Sequence, residues 1–270
     1  YIPIKNFSFI KFVLKRLEDR HASEIINEHL LVSYITLLIF NSFKENDLVL
    51  KSLNCQDLVD FYNEIFLVMS NNTTDDVKVY SGEESLEFNK NIIGHLSNRI
   101  QESYNNTKEY VKKLAFTNEL NYYEGGLFDY HDFLLPLMSE LRNIQGFPKA
   151  SIYLLIDDAH CLTGTQTRVL NSWISTRTSN IISLKVSTQY NYKSFYTVTG
   201  ATIDTPHDYA EIDLATIYTG STKSKYRDRI KSIIDKRLAL SGIDSCAELF
   251  FPEDIEQEMK IQKISDEFKR

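Results

Sequence analysis

Two hydrophobic periodicities divide the chain into a helical part and a mixed part. Between about residues 8 and 145, apolar side chains recur every three or four positions, which predicts amphipathic helices. These helices are predicted over Phe9–Leu17, His21–Phe43, Cys55–Met69, Ser85–Leu114 (as one helix or two) and Tyr130–Asn143, with a polar loop over Asn71–Glu84. Gly146 and Pro148 then end the helical part.

The mixed part alternates strands with helices. Ile152–Ile156 is a continuous apolar run, the pattern of a parallel strand buried on both faces, and Ile181–Ser187 is rich in β-branched residues. An amphipathic helix over Gln166–Thr176 separates them, so the order strand–helix–strand predicts a parallel sheet. Further predicted elements are a first strand at Tyr1–Ile4, a hairpin pairing Phe195–Val198 with Thr202–Asp204, a strand at Ala210–Ile217, and helices at Lys223–Leu240 and Glu253–Phe268.

This pattern predicts four segments. Residues 1–7 form a core strand, 8–147 a helical insertion, 148–220 the α/β core, and 221–270 a C-terminal helical segment. An insertion of this size is where we expect a protein partner, nucleic acid or a neighbouring subunit to bind.

Composition and charge narrow the class of protein. The net charge of −7 does not indicate nucleic-acid binding through a basic surface, although it leaves nucleic-acid binding possible. Lys108, Lys112 and Lys113 form a basic cluster that is too small to indicate DNA binding. The three cysteines lie far apart, which favours a reducing cytoplasm. No apolar run approaches the roughly 20 residues of a membrane span, and no signal peptide opens the chain.

The candidate chemistry lies in the acidic pair Asp157–Asp158, directly after the predicted strand Ile152–Ile156. Adjacent carboxylates at the end of a parallel strand stand where open α/β sheets bind ligands, and a Mg²⁺-nucleotide would offset their repulsion. Asp157 would then hold the metal ion through water, while Asp158 orients and deprotonates the attacking water. Alternatively, the pair begins a turn in which Asp158 caps the next helix.

Polar residues elsewhere could complete such a site. Thr188 and Gln189 follow the next predicted strand, where a side chain can contact the attacking water or the γ-phosphate. His160 can line the nucleotide site, and Arg177 can reach a neighbouring subunit as an arginine finger. Arg227 is a candidate sensor of the γ-phosphate. The last three residues each have a structural alternative. His160 can be a histidine at the start of a helix, Arg177 can bind the last carbonyls of its helix, and Arg227 can be a surface charge.

These motifs resemble bacterial origin-recognition-type AAA+ ATPases, which are related to signal-transducing (STAND) ATPases. The resemblance rests on Leu154–His160, Gln166, Asn171–Arg177, Lys185–Gln189 and Pro206–Tyr209. It implies an α/β P-loop NTPase fold of the ASCE type, with ATP and Mg²⁺ as cofactors. It also implies the roles given above for Asp157, Asp158 and Thr188.

One motif of that family is missing from the sequence. The phosphate loop G-x-x-x-x-G-K-S/T needs a Gly-Lys pair, and the 270 residues contain none; Gly220–Ser224 has similar letters in the wrong order. We therefore expect the parallel sheet to lack its first strand and phosphate loop here. We expect that loop to precede Tyr1 in a longer protein, and the 270 residues alone to bind ATP poorly.

Three functions remain open from the sequence. The first is an ATPase that couples nucleotide hydrolysis to a conformational switch, with DNA transactions or antiphage defence as contexts. The second is a catalytically silent interaction module on an ATPase scaffold. The third is a metal-dependent nuclease or phosphotransferase, which needs further carboxylates near Asp157; Glu211 and Asp213 are the nearby candidates.

Overall fold

The computed structural model describes most of the chain. The described residues are 1–7, 22–69, 86–114, 116, 123–176, 180–214, 223–252 and 254–268. They divide into two compact units, Tyr1–Ala210 and Glu211–Arg270. The predicted helix at Phe9–Leu17, the predicted loop at Asn71–Glu84 and the candidate Arg177 lie outside the described residues.

The first unit contains a three-stranded parallel sheet. Its strands are β1 (Ile2–Pro3), β2 (Ile152–Asp157) and β3 (Ile182–Val186), in the order β1-β2-β3. Ile156 pairs with Ile2 on one side and with Val186 on the other, so β2 is the central strand. The predicted parallel sheet is confirmed, and the mixed α/β architecture is compatible with a P-loop NTPase-like fold.

The two faces of the sheet have different surroundings. Leu154 and Ile156 belong to one hydrophobic core that also contains the helices, whereas Tyr153 is 58% exposed and Leu155 is 44% exposed. The prediction that β2 is buried on both faces is therefore wrong for the described part of the chain. An apolar run shows that a strand can be buried, but it does not show that another element covers each face.

The helices of the first unit are arranged around α1. They are α1 (Ala22–Lys44), α2 (Asp47–Ser52), α3 (Cys55–Met69), α4 (Leu86–Lys113), a π-helical turn (Tyr130–Leu134) that leads into α5 (Leu135–Asn143), and α6 (Gly164–Ser175). Helices α4 and α6 both pack against α1. The Tyr34 hydroxyl of α1 donates to the Pro3 carbonyl at 2.9 Å and so joins this helix to β1. The predicted helices in this region are confirmed, and Ser85–Leu114 forms one helix.

Helix α1 is apolar because it lies inside the fold. It is long and apolar enough to cross a membrane by length and composition, but 67% of its most apolar window is buried. Its Thr36 hydroxyl donates to the Val32 carbonyl of the same helix at 2.8 Å. His29 is fully buried and accepts a hydrogen bond from the Phe128 N–H at 2.8 Å.

Of the two β elements predicted after β3, the hairpin is present in short form and the strand is wrong in its described residues. The hairpin consists of one antiparallel bridge between Tyr196 and Thr202, flanked by a hydrogen bond from the Ile203 N–H to the Phe195 carbonyl at 2.9 Å. Residues 210–213 of the predicted strand at Ala210–Ile217 have no strand structure, and 215–217 lie outside the described residues. Extended, β-branched segments form strands only where a neighbouring strand accepts their hydrogen bonds, and β propensity cannot supply that neighbour.

The second unit is helical, with α7 (Lys223–Leu240), α8 (Ala247–Phe250) and α9 (Ile255–Phe268). Gly242, at φ 69°, ends α7 in the left-handed conformation, and the Ile243 N–H donates back to the Leu238 carbonyl at 3.0 Å. The Asp235 carboxylate of α7 accepts from the Ala247 N–H at 2.6 Å and so caps the start of α8.

Candidate functional site

The acidic pair lies at the carboxyl edge of the parallel sheet. Asp157 is the last residue of β2 and is paired in register with Pro3 of β1. The Ser187 N–H donates to the Ile156 carbonyl at 2.9 Å, and the Ala159 N–H donates to the Ser187 carbonyl at 2.9 Å. These two bonds hold the segments after β2 and β3 side by side, so polar residues from both strands meet at this edge.

Hydrogen-bond donors from both neighbouring strands hold the Asp157 carboxylate. Its Oδ1 accepts from the Ser187 hydroxyl and from the Asp158 N–H at 3.0 Å, and its Oδ2 accepts from the Tyr1 hydroxyl at 2.5 Å. Donation from Ser187, and then from Tyr1, keeps the pKa of Asp157 below its ordinary value. The carboxylate is therefore anionic and fixed in orientation at neutral pH.

Asp158 has a left-handed backbone conformation. Its φ of 58° and ψ of 38° make it the one non-glycine residue with positive φ among those the structure describes. This conformation is unfavourable for most L-residues, and Asp is among the few that tolerate it. Such backbone positions concentrate at functional sites.

The structure contradicts the alternative in which Asp158 is a helix cap. Its side chain makes no capping hydrogen bond to the 3₁₀ turn at Ala159–Cys161. Helix α6 is capped instead by Thr163, whose hydroxyl accepts from the Gln166 N–H at 3.2 Å. The Gln166 side chain completes a capping box by accepting from the Thr163 N–H at 3.0 Å. The Asp158 side chain therefore caps neither the 3₁₀ turn nor α6.

His160 lies next to the acidic pair. Its Nδ1 is 4.0 Å from the Asp158 Oδ1, and its side chain is 16% exposed. The buried Nδ1 has no hydrogen-bond partner. This placement is compatible with a residue that lines the site, and the role of His160 stays a prediction.

Ser187 is a site residue that the sequence analysis missed. Strand β3 ends at Val186, so the first hydroxyl after the strand is that of Ser187, and it donates to Asp157. Thr188 and Gln189 are exposed, and the Thr188 hydroxyl donates to the Gln189 carbonyl at 3.0 Å. Counting the strand one residue shorter would have identified Ser187. The predicted roles of Thr188 and Gln189 stay predictions.

Polar contacts join α6, the helix that follows the acidic pair, to α1. The buried Gln166 Nε2 donates to the Asn27 Oδ1 at 3.0 Å. The Trp173 Nε1 donates to the Glu28 Oε1 at 2.8 Å, as expected for a core tryptophan with one polar atom. Arg168 pairs with a Glu24 carboxylate oxygen at 3.2 Å. These three contacts fix α6 relative to α1.

A comparison with known protein families identifies the family of this chain. A family profile described as ORC-CDC6-like matches residues 1–270. The chain belongs to the ORC-CDC6-like family. No curated protein and no solved structure matches it. Membership of the ORC-CDC6-like family supports an AAA+ ATPase-related role with nucleotide binding.

ATP and Mg²⁺ are the cofactors that ORC-CDC6-like proteins generally use. The donor chemistry of Asp157 and Asp158 fits Mg²⁺, which prefers carboxylate oxygens and usually keeps several of its waters. The described residues contain no group of three or more His, Cys, Asp or Glu that could hold a metal ion. The further carboxylates that a metal-dependent nuclease needs are therefore not gathered in the described part of this ORC-CDC6-like chain.

The two arginine candidates are not placed at the acidic pair by these observations. Arg177 lies outside the described residues. Arg227 belongs to α7 of the second unit, where its guanidinium is 3.9 Å from a Glu258 carboxylate oxygen. Glu211 and Asp213 also belong to that unit. The arginine-finger and sensor roles in this ORC-CDC6-like protein stay predictions.

Proposed function

We propose that the chain is part of an ATPase that binds Mg²⁺-ATP at the Asp157–Asp158 edge of the sheet and couples hydrolysis to a conformational switch. The observation that carries the proposal is the placement of two adjacent carboxylates at the end of a central parallel strand, where Ser187, the first residue after β3, donates a hydrogen bond to Asp157. In open parallel sheets this edge is where ligands bind.

The two carboxylates have different surroundings, which suits different roles. Asp157 is held by three donors and kept anionic, as a group that orients a hydrated Mg²⁺ should be. Asp158 has a 39% exposed side chain that makes no capping bond, so its oxygens can accept a proton from an attacking water. When bound, Mg²⁺ would neutralise charge on the phosphates.

Residues near the acidic pair would have supporting roles in this ATPase. Ser187 holds Asp157. Thr188 and Gln189 follow Ser187 in the chain and would contact the attacking water or the γ-phosphate. His160 would report the state of Asp158 through their 4.0 Å separation. ATP binding also needs a lysine and backbone N–H groups around the phosphates. That a segment preceding Tyr1 supplies them stays a prediction.

Arg177 and Arg227 complete the proposal as residues that recognise the γ-phosphate. Arg177 would act on a neighbouring subunit, so the ATPase would work as an oligomer. AAA+ family membership is consistent with self-association. The helical segment would bind the protein partner on which the switch acts, in DNA transactions or antiphage defence.

The test is ATP turnover by the full-length protein carrying Asp158→Asn. Asn tolerates the left-handed backbone of residue 158, so the fold is kept while the proton acceptor is lost. We expect turnover to fall by at least 100-fold, since general-base catalysis contributes about 10²–10⁴-fold, and ATP affinity to be retained.

Asp60→Asn is the matched control, because Asp60 is an exposed carboxylate on α3 that accepts a surface amide bond from Gln56. This variant should turn over ATP at the wild-type rate. Undiminished turnover in Asp158→Asn would refute the assignment of the general base. Absence of both ATP binding and turnover in the wild-type protein would favour the catalytically silent interaction module.

A further inference from the structure

The helices of the second unit bury very little hydrophobic surface. Among the residues of this unit that the structure describes, the buried hydrophobic side chains are those of Leu238 and Ala247. All 14 residues of α9 are described, and none of them is buried. Isolated helices of this length are marginal in water, because most of the stability of a helix in a protein comes from packing its apolar face. Helix α9 therefore needs a surface against which it can pack.

The segment that ends with α9 exposes enough hydrophobic surface for a protein interface. Eight large hydrophobic side chains between Leu249 and Phe268 are 47–88% exposed. Together they expose on the order of 1,000 Å², whereas the largest apolar patch of a typical monomer covers roughly 300–600 Å². A stable interface buries roughly 800 Å² on each partner. The exposed area is therefore sufficient for one partner of a stable dimer.

The second half of α9 has hydrophobic residues at the spacing of a coiled coil. Three of them recur at i, i+3 and i+7, as positions a, d and a of a heptad do, and form the α9 stripe: Ile261, Ile264 and Phe268. Lys260 and Glu267 then occupy two successive g positions on one side of the stripe. Glu258, at the e position on the other side, is 3.9 Å from the Arg227 guanidinium of α7. Helix α9 thus contacts its own chain on the e side, while the stripe and the g side are exposed.

We propose that two copies of the chain associate through α9, which pairs in antiparallel orientation with α9 of the second copy. In an antiparallel coiled coil, position a packs against position d of the other helix, and position g lies beside position g. Ile261 therefore packs against Ile264 of the second copy, and Lys260 lies beside Glu267 of the second copy. The twofold symmetry of the dimer produces each of these contacts twice.

The charges of α9 favour this partner and this orientation. Ion pairs between residues at e and g positions set the choice of partner and the orientation in coiled coils. Antiparallel pairing brings Lys260 and Glu267 together, so the helix is complementary to itself. Parallel pairing would place Lys260 beside Ser265, which has no charge. The antiparallel arrangement also directs Phe268 towards the start of the second α9, which follows the exposed rings of Phe250 and Phe251.

The test is the oligomeric state of the full-length protein without nucleotide, measured by sedimentation equilibrium. Without nucleotide, an arginine that binds a γ-phosphate does not contribute to association, so the result is independent of the proposed function. The wild type should be a dimer at micromolar concentration, and Ile264→Glu should be a monomer, because the dimer would bury an unpaired charge in the stripe. Ile264 is 52% exposed in a single copy, so this change leaves the fold of each copy unaltered. A monomeric wild type, or a dimer that persists in Ile264→Glu, would overturn the proposal.

Exchange of the two charges identifies the second copy as the partner. Lys260→Glu and Glu267→Lys each place like charges side by side twice, so each variant should dimerise about tenfold more weakly than the wild type. An equimolar mixture of the two variants should restore the wild-type affinity, because both ion pairs form again in the mixed dimer. A mixture that dimerises no better than the single variants would refute the antiparallel arrangement.

Lys263→Glu is the matched control, because it makes the same charge change on the same helix. Lys263 is exposed at position c, which faces away from the partner helix in a coiled coil. This variant should dimerise like the wild type. A loss of affinity equal to that of Lys260→Glu would show that net charge, and not the g position, governs association, and would also overturn the proposal.

Discussion

Replacing Gln166 with alanine should lower the stability of the first unit by much more than the same replacement at an exposed glutamine. Gln166 is 2% exposed and makes two kinds of contact. Its Oε1 accepts from the Thr163 N–H at 3.0 Å at the start of α6, and its Nε2 donates to the Asn27 Oδ1 at 3.0 Å. One side chain therefore completes the capping box of α6, the helix that follows the acidic pair, and joins that helix to α1.

The expected loss follows from these two contacts. The returning bond of the capping box is an ordinary intramolecular hydrogen bond, with a net contribution of about 1 kcal/mol. Removing the amide also leaves the Asn27 Oδ1 without its buried donor, and an unsatisfied buried acceptor costs about 1–3 kcal/mol. Gln166→Ala should therefore lower the free energy of unfolding by about 3 kcal/mol.

Urea unfolding followed by tryptophan fluorescence measures this loss. Trp173 is the one tryptophan of the sequence and is 3% exposed on α6, so its emission reports the unit that contains Gln166. With a urea m-value of about 2 kcal/mol/M, the midpoint should fall by roughly 1.5 M.

Gln101→Ala provides the control, because Gln101 donates to the Asn105 Oδ1 at 3.0 Å on the exposed face of α4. Loss of that surface bond should change stability by less than about 0.5 kcal/mol. A loss under about 1 kcal/mol in Gln166→Ala would refute the reasoning. So would a double variant with Asn27→Ala whose two effects simply add, because contacting partners should show a coupling of about 0.5–3 kcal/mol.

Three other predictions follow from single residues. Burial lowers the pKa of His29 to about 4, below its unfolded value of about 6.5, so its contribution to stability is present above pH 6.5 and lost as the pH falls towards 4. In urea unfolding at both pH values, wild type should lose about 3 kcal/mol more than His29→Gln over that interval; equal losses would contradict this. Gly146→Ala should destabilise by several kcal/mol, because the new Cβ would lie 1.6 Å from the Ser52 carbonyl oxygen at a φ of 91°, whereas Gly94→Ala, with nothing within 4 Å, should stabilise α4 by up to about 1 kcal/mol. Similar thermal midpoints for those two variants would refute this account. Asp158→Ala should cost about 1 kcal/mol because of the left-handed backbone, and Asp158→Gly should cost less; the reverse order in urea unfolding would contradict the backbone assignment.

The sequence predicted most elements whose pattern is local. The apolar run Ile152–Ile156 identified β2, and the acidic pair after it fell at the predicted edge of the sheet. Helical periodicity located α4, because 28 residues of regular spacing leave few alternatives. Each of these features depends on residues that lie close to one another in the sequence.

The remaining features depend on which distant segments meet. The bond from Tyr1 to Asp157 joins residues 156 positions apart, and no local pattern encodes it. Ser187 was missed because the strand was predicted one residue too long, which moved attention to Thr188. The strand expected at Ala210–Ile217 was wrong in its described residues because β propensity does not supply a pairing partner.

The most direct test of the central claim is the magnesium dependence of ATP binding by the full-length protein, measured by calorimetry for the wild type and for Asp157→Asn. The account predicts that Mg²⁺ strengthens ATP binding to the wild type. It also predicts that Asp157→Asn reduces the increase in ATP affinity caused by Mg²⁺ by at least tenfold, which is about 1.4 kcal/mol. ATP affinity without the metal ion should stay unchanged. Equal Mg²⁺ dependence in the two proteins would show that Asp157 does not face the metal ion, and would contradict the account.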